Sequence, residues 1–276
     1  MHPILFRIGA APGGYAVHTF GVMMMLAFAV GIWRAVAAAR RQKGEPGDVP
    51  VDAILDAGTW MILAGIAGAR LMFIIVDWSS YRDHPLSGLE IWNGGLSFHG
   101  ALFGGLLALI VFCLIRRISI LKITDLFAPS VMLSYAIGRI GCFFNGCCYG
   151  APTTMPWGIR FNEDGQGHWT VPSHPTQMYS TILSLIFFGV LVWLERRKAF
   201  DGQLLCWYII LSATERFLME IWRGGVTSTV VAWGLTDVQF LCLSMIALAG
   251  VGLAVLRRVG RRSSPGNTAA LEVAGH

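Results

Sequence analysis

Charge is what this sequence has least of: Asp, Glu, Lys and Arg supply 13% of its 276 residues, against roughly 25% in soluble domains. That scarcity excludes water as the main solvent of the chain. It is also uneven. The stretches 8–33 and 175–194 contain none of the four residue types, and each is long enough to cross about 30 Å of hydrocarbon as a helix of roughly 20 residues. No cleavable leader is expected, because only Arg7 precedes the first apolar run and no short apolar core leads to a small-residue cleavage site; the first run therefore reads as a retained span. No Cys-x-x-Cys pair occurs among the six cysteines, which removes the usual motif of a thiol redox protein. Neither an internal repeat nor a soluble domain is found, and a repeat between halves would be the mark of many transporters.

What is present is apolar and periodic in its punctuation. Hydrophobic residues make up 55% of the chain, and hydropathy places seven spans near 15–38, 51–77, 95–115, 125–145, 176–194, 203–222 and 234–256. They are expected to be helices, because an isolated stretch of other backbone leaves N–H and C=O groups unpaired in lipid. The formal charge of +5 invites a nucleic-acid reading, but the basic residues come in short clusters between apolar runs, which is a topology signal and not a polyanion surface. Arg34, Arg40, Arg41 and Lys43 follow the first span. Arg116, Arg117 and Lys122 follow the third, Arg196 to Lys198 the fifth, and Arg257, Arg258, Arg261 and Arg262 the seventh. These ends are assigned to the cytoplasm, with the N-terminus outside and the C-terminus inside. The expected architecture is thus an all-α integral membrane protein, with one seven-helix domain over 1–258 and a disordered cytoplasmic tail over 259–276.

Three arginines fall inside spans: Arg70, Arg139 and Arg216. Each costs roughly 2.5 to 3.5 kcal/mol at mid-membrane on insertion scales, so each needs compensation. All three helices run outward and carry the arginine in their later half, which allows convergence in the outer half of the membrane. Two explanations stay open. The arginines pair with Glu215, Glu220 or backbone carbonyls and simply bind the bundle together, or their guanidinium forks hold a phosphate, which at that depth belongs to a lipid headgroup. For Arg70 the two are evenly matched. His99, at the start of the third span, lies at a similar level, where a neutral imidazole can accept a proton. Gly100 and Gly104 read as close helix packing. Gly138, Gly141, Gly146 and Gly150 crowd around Arg139, where the backbone can approach a ligand. Cys113, Cys206 and Cys242 sit in apolar runs as small hydrophobes. Cys142, Cys147 and Cys148 are clustered and permit a disulfide or a metal site.

The segment Gly138-Arg-Ile-Gly-Cys-Phe-Phe-Asn-Gly-Cys-Cys-Tyr-Gly150 resembles the signature of bacterial prolipoprotein diacylglyceryl transferases. Gly94-Gly-Leu-Ser-Phe-His-Gly100, His174-Pro-Thr-Gln-Met-Tyr179, Arg216-Phe-Leu-Met-Glu-Ile-Trp-Arg223 and, more weakly, Gly68-Ala-Arg70 follow the same family in the expected order. The resemblance implies a multi-pass enzyme of the bacterial inner membrane with its site toward the outer leaflet. It would move the diacylglyceryl group of phosphatidylglycerol onto the lipobox cysteine thiol of a prolipoprotein signal peptide and release glycerol phosphate. It implies catalytic roles for His99, Arg139 and Arg216, and substrate-binding roles for Arg139, Asn145, Gly150, Glu220, Arg70, Arg223 and His174. No cofactor, metal or nucleic acid is implied. Three positions depart from the better-known members: Phe20 stands where they carry tyrosine, Cys142 where they carry asparagine, and Cys147 where they carry an acidic residue. The Gly-Cys-Phe-x-x-Gly-Cys-Cys-Tyr-Gly form is similar to a recurrent variant of the family. The alternative reading is a transporter or flippase for an anionic lipid, which would use the same arginines without nucleophile chemistry; a redox protein built on the clustered cysteines ranks behind it.

Overall fold

A computed structural model describes residues 4–8, 15–44, 48–82, 95–162, 169–223, 229–232 and 234–262. Its elements are β1 (Ile4–Ile8), β2 (Tyr15–His18), α1 (Thr19–Arg41), α2 (Val51–Val76), α3 (Trp78–Tyr81), α4 (Phe98–Arg116), α5 (Ile120–Asn145), α6 (Thr176–Glu195), α7 (Gln203–Arg223), β3 (Val230–Ala232), β4 (Leu235–Thr236) and α8 (Asp237–Arg262). Six helices, α1, α2, α4, α5, α6 and α8, are long and apolar enough to cross a membrane. The seventh expected span, α7, is helical over the anticipated residues but carries Glu215, Arg216, Glu220 and Arg223, which keeps it out of that group. The fold is helical, as expected, with two short strand pairs added. β1 pairs antiparallel with β2, and β3 with β4. The first hairpin takes residues 15–18, so α1 starts at Thr19 and not at 15. Helix α8 runs to Arg262, past the start of the expected tail; residues 263–276 lie outside the described residues.

The chain divides into two compact units, residues 35–123 and residues 1–34 with 124–276. In the first, α2 and α4 pack backbone to backbone. A Cβ built on Gly100 would lie 2.2 Å from the Gly68 carbonyl oxygen, and one on Gly104 would lie 2.3 Å from that of Ala64. Small residues here let helices approach where no hydrophobic drive exists between them in lipid. Large apolar side chains of α4 point the other way, with Leu107, Leu114 and Ile115 on the surface. Ser97 caps α4, its side chain accepting from Gly100 N–H.

In the second unit the distribution is inverted relative to a soluble protein. On α6 the buried residues include Thr176, Gln177, Ser180, Thr181 and Ser184, while Ile182, Leu185, Ile186 and Trp193 are exposed. The polar residues recur at helical spacing and form one inward stripe. Helix α7 is held at both ends. At its start the buried Asp125 of α5 accepts from Gly202 N–H at 2.8 Å and Leu205 N–H at 2.9 Å, which satisfies N–H groups that a helix N-terminus leaves unpaired and places a carboxylate at the positive end of the dipole. Lys198 lies 3.0 Å from the same carboxylate. At the other end Ala151 N–H donates to the Trp222 carbonyl at 2.8 Å. Arg34, a residue of the first basic cluster, is buried; it pairs with Glu195 and donates to the Leu126 carbonyl at 3.2 Å.

Candidate functional site

Helices α5, α6 and α7 bring a charged chain of contacts into the second unit. Arg139 of α5 donates from Nη2 to Ser180 Oγ at 3.1 Å, and Ser180 Oγ donates to Glu215 Oε1. Tyr135, one turn before Arg139, reaches Glu215 Oε2 at 3.4 Å, and its ring centroid lies 5.7 Å from the Arg139 guanidinium carbon. Next to Glu215 on α7, Arg216 Nη1 lies 2.6 Å from Oε2 of Glu220, one turn further on, as an i,i+4 ion pair. Glu215 and Glu220 are both buried. Arg139, Arg216 and Arg223 lie within electrostatic reach of one another through Arg223. Three guanidinium groups thus share a region with two carboxylates.

The structural pairing expected for these arginines is therefore present, but it does not use them up. Among the described residues, the buried Nε atoms of Arg139 and Arg223 have no hydrogen-bond partner. A buried donor left unpaired costs about 1–3 kcal/mol, more when charged. Both donors sit beside three guanidinium groups and two carboxylates.

The remaining expected residues of this unit lie at the end of α5 and in the segment leading into α6. Asn145 ends α5 and interacts with Cys147 through its side chain. The turn that follows is pinned to the start of α6, where Gln177 Nε2 donates to the Cys147 carbonyl at 2.7 Å and Thr176 Oγ1 to that of Cys148 at 3.0 Å. His174 Nδ1 lies 3.3 Å from Tyr179 Oη, which also accepts from Trp157 Nε1–H at 2.8 Å. Gly141 and Gly150 stand at close packing contacts. A Cβ at Gly141 would meet Met23 and Phe20 at 3.0 and 3.4 Å, and one at Gly150 would lie 2.5 Å from the Trp222 carbonyl. Gly146 has φ 73°, which a glycine adopts without strain.

Arg70 and His99 belong to the other unit. Arg70 donates to the Gly95 carbonyl at 3.1 Å and lies beside the Phe73 and Tyr81 rings, 5.8 and 5.4 Å from their centroids. That is the backbone-carbonyl partner expected as one of its two roles. His99 is the second residue of α4, exposed, with its ring edge-on to Phe98. Ser180, Tyr135 and Gln177 escaped the sequence reading because a charge count passes over them; the spacing of Thr176, Gln177, Ser180, Thr181 and Ser184 on one helical face was the available signal.

Six helices of membrane-spanning length and a half-buried group of arginines, two of which have an Nε atom without a partner among the described residues, define a multi-pass membrane protein with a cluster of cations on its helices. The family is then set by comparison with known proteins. Residues 3–255 match the model of the prolipoprotein diacylglyceryl transferase family, and the chain belongs to that family. It is 32% identical over 246 residues to a phosphatidylglycerol–prolipoprotein diacylglyceryl transferase of Thermosynechococcus vestitus, covering 87% of this chain and 89% of that protein. Proteins of the same name from Clostridium tetani, 32% identical with 90% and 95% covered, and Bordetella bronchiseptica, 31% identical with 91% and 93% covered, are similar along the same length.

Proposed function

We propose that this chain transfers the diacylglyceryl group of phosphatidylglycerol to the lipobox cysteine thiol of prolipoprotein signal peptides. The observation that supports this most directly is the group of Arg139, Arg216 and Arg223, whose buried Arg139 and Arg223 Nε atoms lack a partner. In the reaction the cysteine sulfur forms a bond to the terminal glyceryl carbon as the bond from that carbon to the phosphate oxygen breaks. The electron pair leaves with the phosphate, and glycerol phosphate departs. Arg139 and Arg216 hold the phosphate and stabilise the charge that develops on it, which is the largest single contribution a preorganised polar site makes. Ser180 and Glu215 aim Arg139, and Glu220 aims Arg216. His99, or a water that it orients, takes the thiol proton. Asn145, Gly150, His174, Arg70 and Arg223 complete the substrate-binding set. The setting is a single seven-helix domain of the bacterial inner membrane in which α7 is the sixth span, the N-terminus lies outside, and the site faces the outer leaflet.

The test is to incubate membranes containing the protein with labelled phosphatidylglycerol and a lipobox peptide, and to look for diacylglyceryl-peptide and free glycerol phosphate. Both products are expected. Arg216→Ala is expected to abolish them while the protein still inserts into the membrane. A fully active Arg216→Ala protein refutes the assignment, and a wild-type protein that yields neither product returns the case to the transporter reading.

A further inference from the structure

Cys142, Cys147 and Cys148 have no part in the transfer described above, and two of them stand where the family resemblance gives other residues. Their Sγ atoms all lie within 4.8 Å of one another, and those of Cys147 and Cys148 are 3.5 Å apart. Zinc binds thiolate at about 2.3 Å, so three sulfurs on one tetrahedral ion sit about 3.8 Å from each other, and the widest edge of this trio needs to close by about 1 Å. The backbone already brings the three together. Gly146 and Cys148 both adopt left-handed conformations, with φ 73° and 65°, and Gln177 and Thr176 tie down the carbonyls of Cys147 and Cys148.

The surroundings suit a thiolate cluster. Arg139 and Arg223 lie within electrostatic reach of the Cys148 sulfur. Three thiolates on a dication carry a net charge of −1, which those arginines balance. Cys148 is exposed, which leaves an entry path for an ion. A disulfide would use two of the sulfurs and strand the third, whereas one ion takes all three. We propose that Cys142, Cys147 and Cys148 form a three-thiolate site for zinc, with its fourth coordination position open. Zinc is the divalent ion suited to such sulfur-rich tetrahedral sites, and each thiol still protonated releases its proton to solvent as it binds.

The test uses the full chain, purified in detergent with a tag lacking histidine, reduced and stripped with EDTA. Zinc chloride is titrated in competition with a chromophoric chelator. One tight zinc per chain is expected, lost in Cys142→Ala, Cys147→Ala and Cys148→Ser and kept in Cys113→Ala and Cys206→Ala. On the wild type, cadmium chloride is expected to produce an ultraviolet thiolate-to-metal band, and zinc to protect the three thiols from iodoacetamide. The wild-type readings keep the test decisive if a variant fails to fold. Thiols alkylated equally with and without zinc, binding indifferent to the three substitutions, or a disulfide between two of the cysteines that excludes zinc would each overturn the site. No reading depends on transfer, so a chain that binds zinc but moves no lipid would refute the proposed function and leave this site standing.

Discussion

Ser180→Ala is the most informative single change, because Ser180 is the only described side chain linking Arg139 to Glu215 by hydrogen bonds. Its side chain is fully buried, with 0% exposure, so water does not replace the missing hydroxyl. The change removes a donor to one charged group and an acceptor from another. Hydrogen bonds to charged groups are worth about 1.5–3 kcal/mol each. Because the two share one atom, their losses are not additive, and about 2–4 kcal/mol is expected in all. What remains for Arg139 is the face of Tyr135, and for Glu215 the 3.4 Å contact with the Tyr135 hydroxyl. If most of the loss appears as misdirection of Arg139 in the transition state, kcat/KM for diacylglyceryl transfer falls by about 30- to 1000-fold at 1.36 kcal/mol per tenfold. The assay compares kcat/KM for phosphatidylglycerol with thermal stability in detergent. A Ser180→Ala enzyme within twofold of wild type would show that Arg139 is not aimed through this contact.

Other outcomes follow from the same geometry. Asp125→Ala strands the Gly202 and Leu205 N–H groups and leaves Lys198 with Asp201 alone, and is expected to cost about 1–3 kcal/mol for each buried N–H left unpaired, read as a lowered unfolding temperature in detergent; Asp125→Asn, which keeps an acceptor, should lose less. Gly100→Ala drives a Cβ to 2.2 Å from the Gly68 carbonyl oxygen, and overpacking of that kind costs about 1–3 kcal/mol. Gly189→Ala, whose Cβ would meet nothing within 4 Å, should be neutral or gain up to about 1 kcal/mol from helix propensity, and equal effects at the two glycines would contradict the packing argument. Because its folded-state value is depressed, Cys148 keeps its thiolate as pH falls below about 8.5, where an ordinary thiol loses reactivity roughly tenfold per unit. In metal-free protein its alkylation rate, mapped by mass spectrometry, should therefore fall less steeply from about pH 8 to 6 than that of a model thiol; a decline parallel to a model thiol refutes this.

Much of the fold was legible because lipid leaves few choices. A charge-free run of spanning length has to close its own backbone hydrogen bonds, so composition alone places the helices to within a few residues. The intramembrane arginines were legible for the same reason, since a charge where charges are costly stands out in one dimension. The pairings of Ile4–Ile8 with Tyr15–His18 and of Val230–Ala232 with Leu235–Thr236 were not, because hydropathy along the chain carries no strand register.

Partners were decided by the tertiary structure. Arg34 looked like a topology signal and is an ion pair with Glu195, 161 residues away. Asp125 caps a helix that starts nearly 80 residues later. Arg139 and Glu215 were visible as residues, but that a serine on a third helix joins them is a fact about packing. The sequence by itself determined which segments leave water and which charges go with them, because that depends on local transfer energy. Which groups then satisfy those charges, and that two arginines keep a donor to spare, depends on how α5, α6 and α7 pack, and hydropathy along a chain carries no information about that.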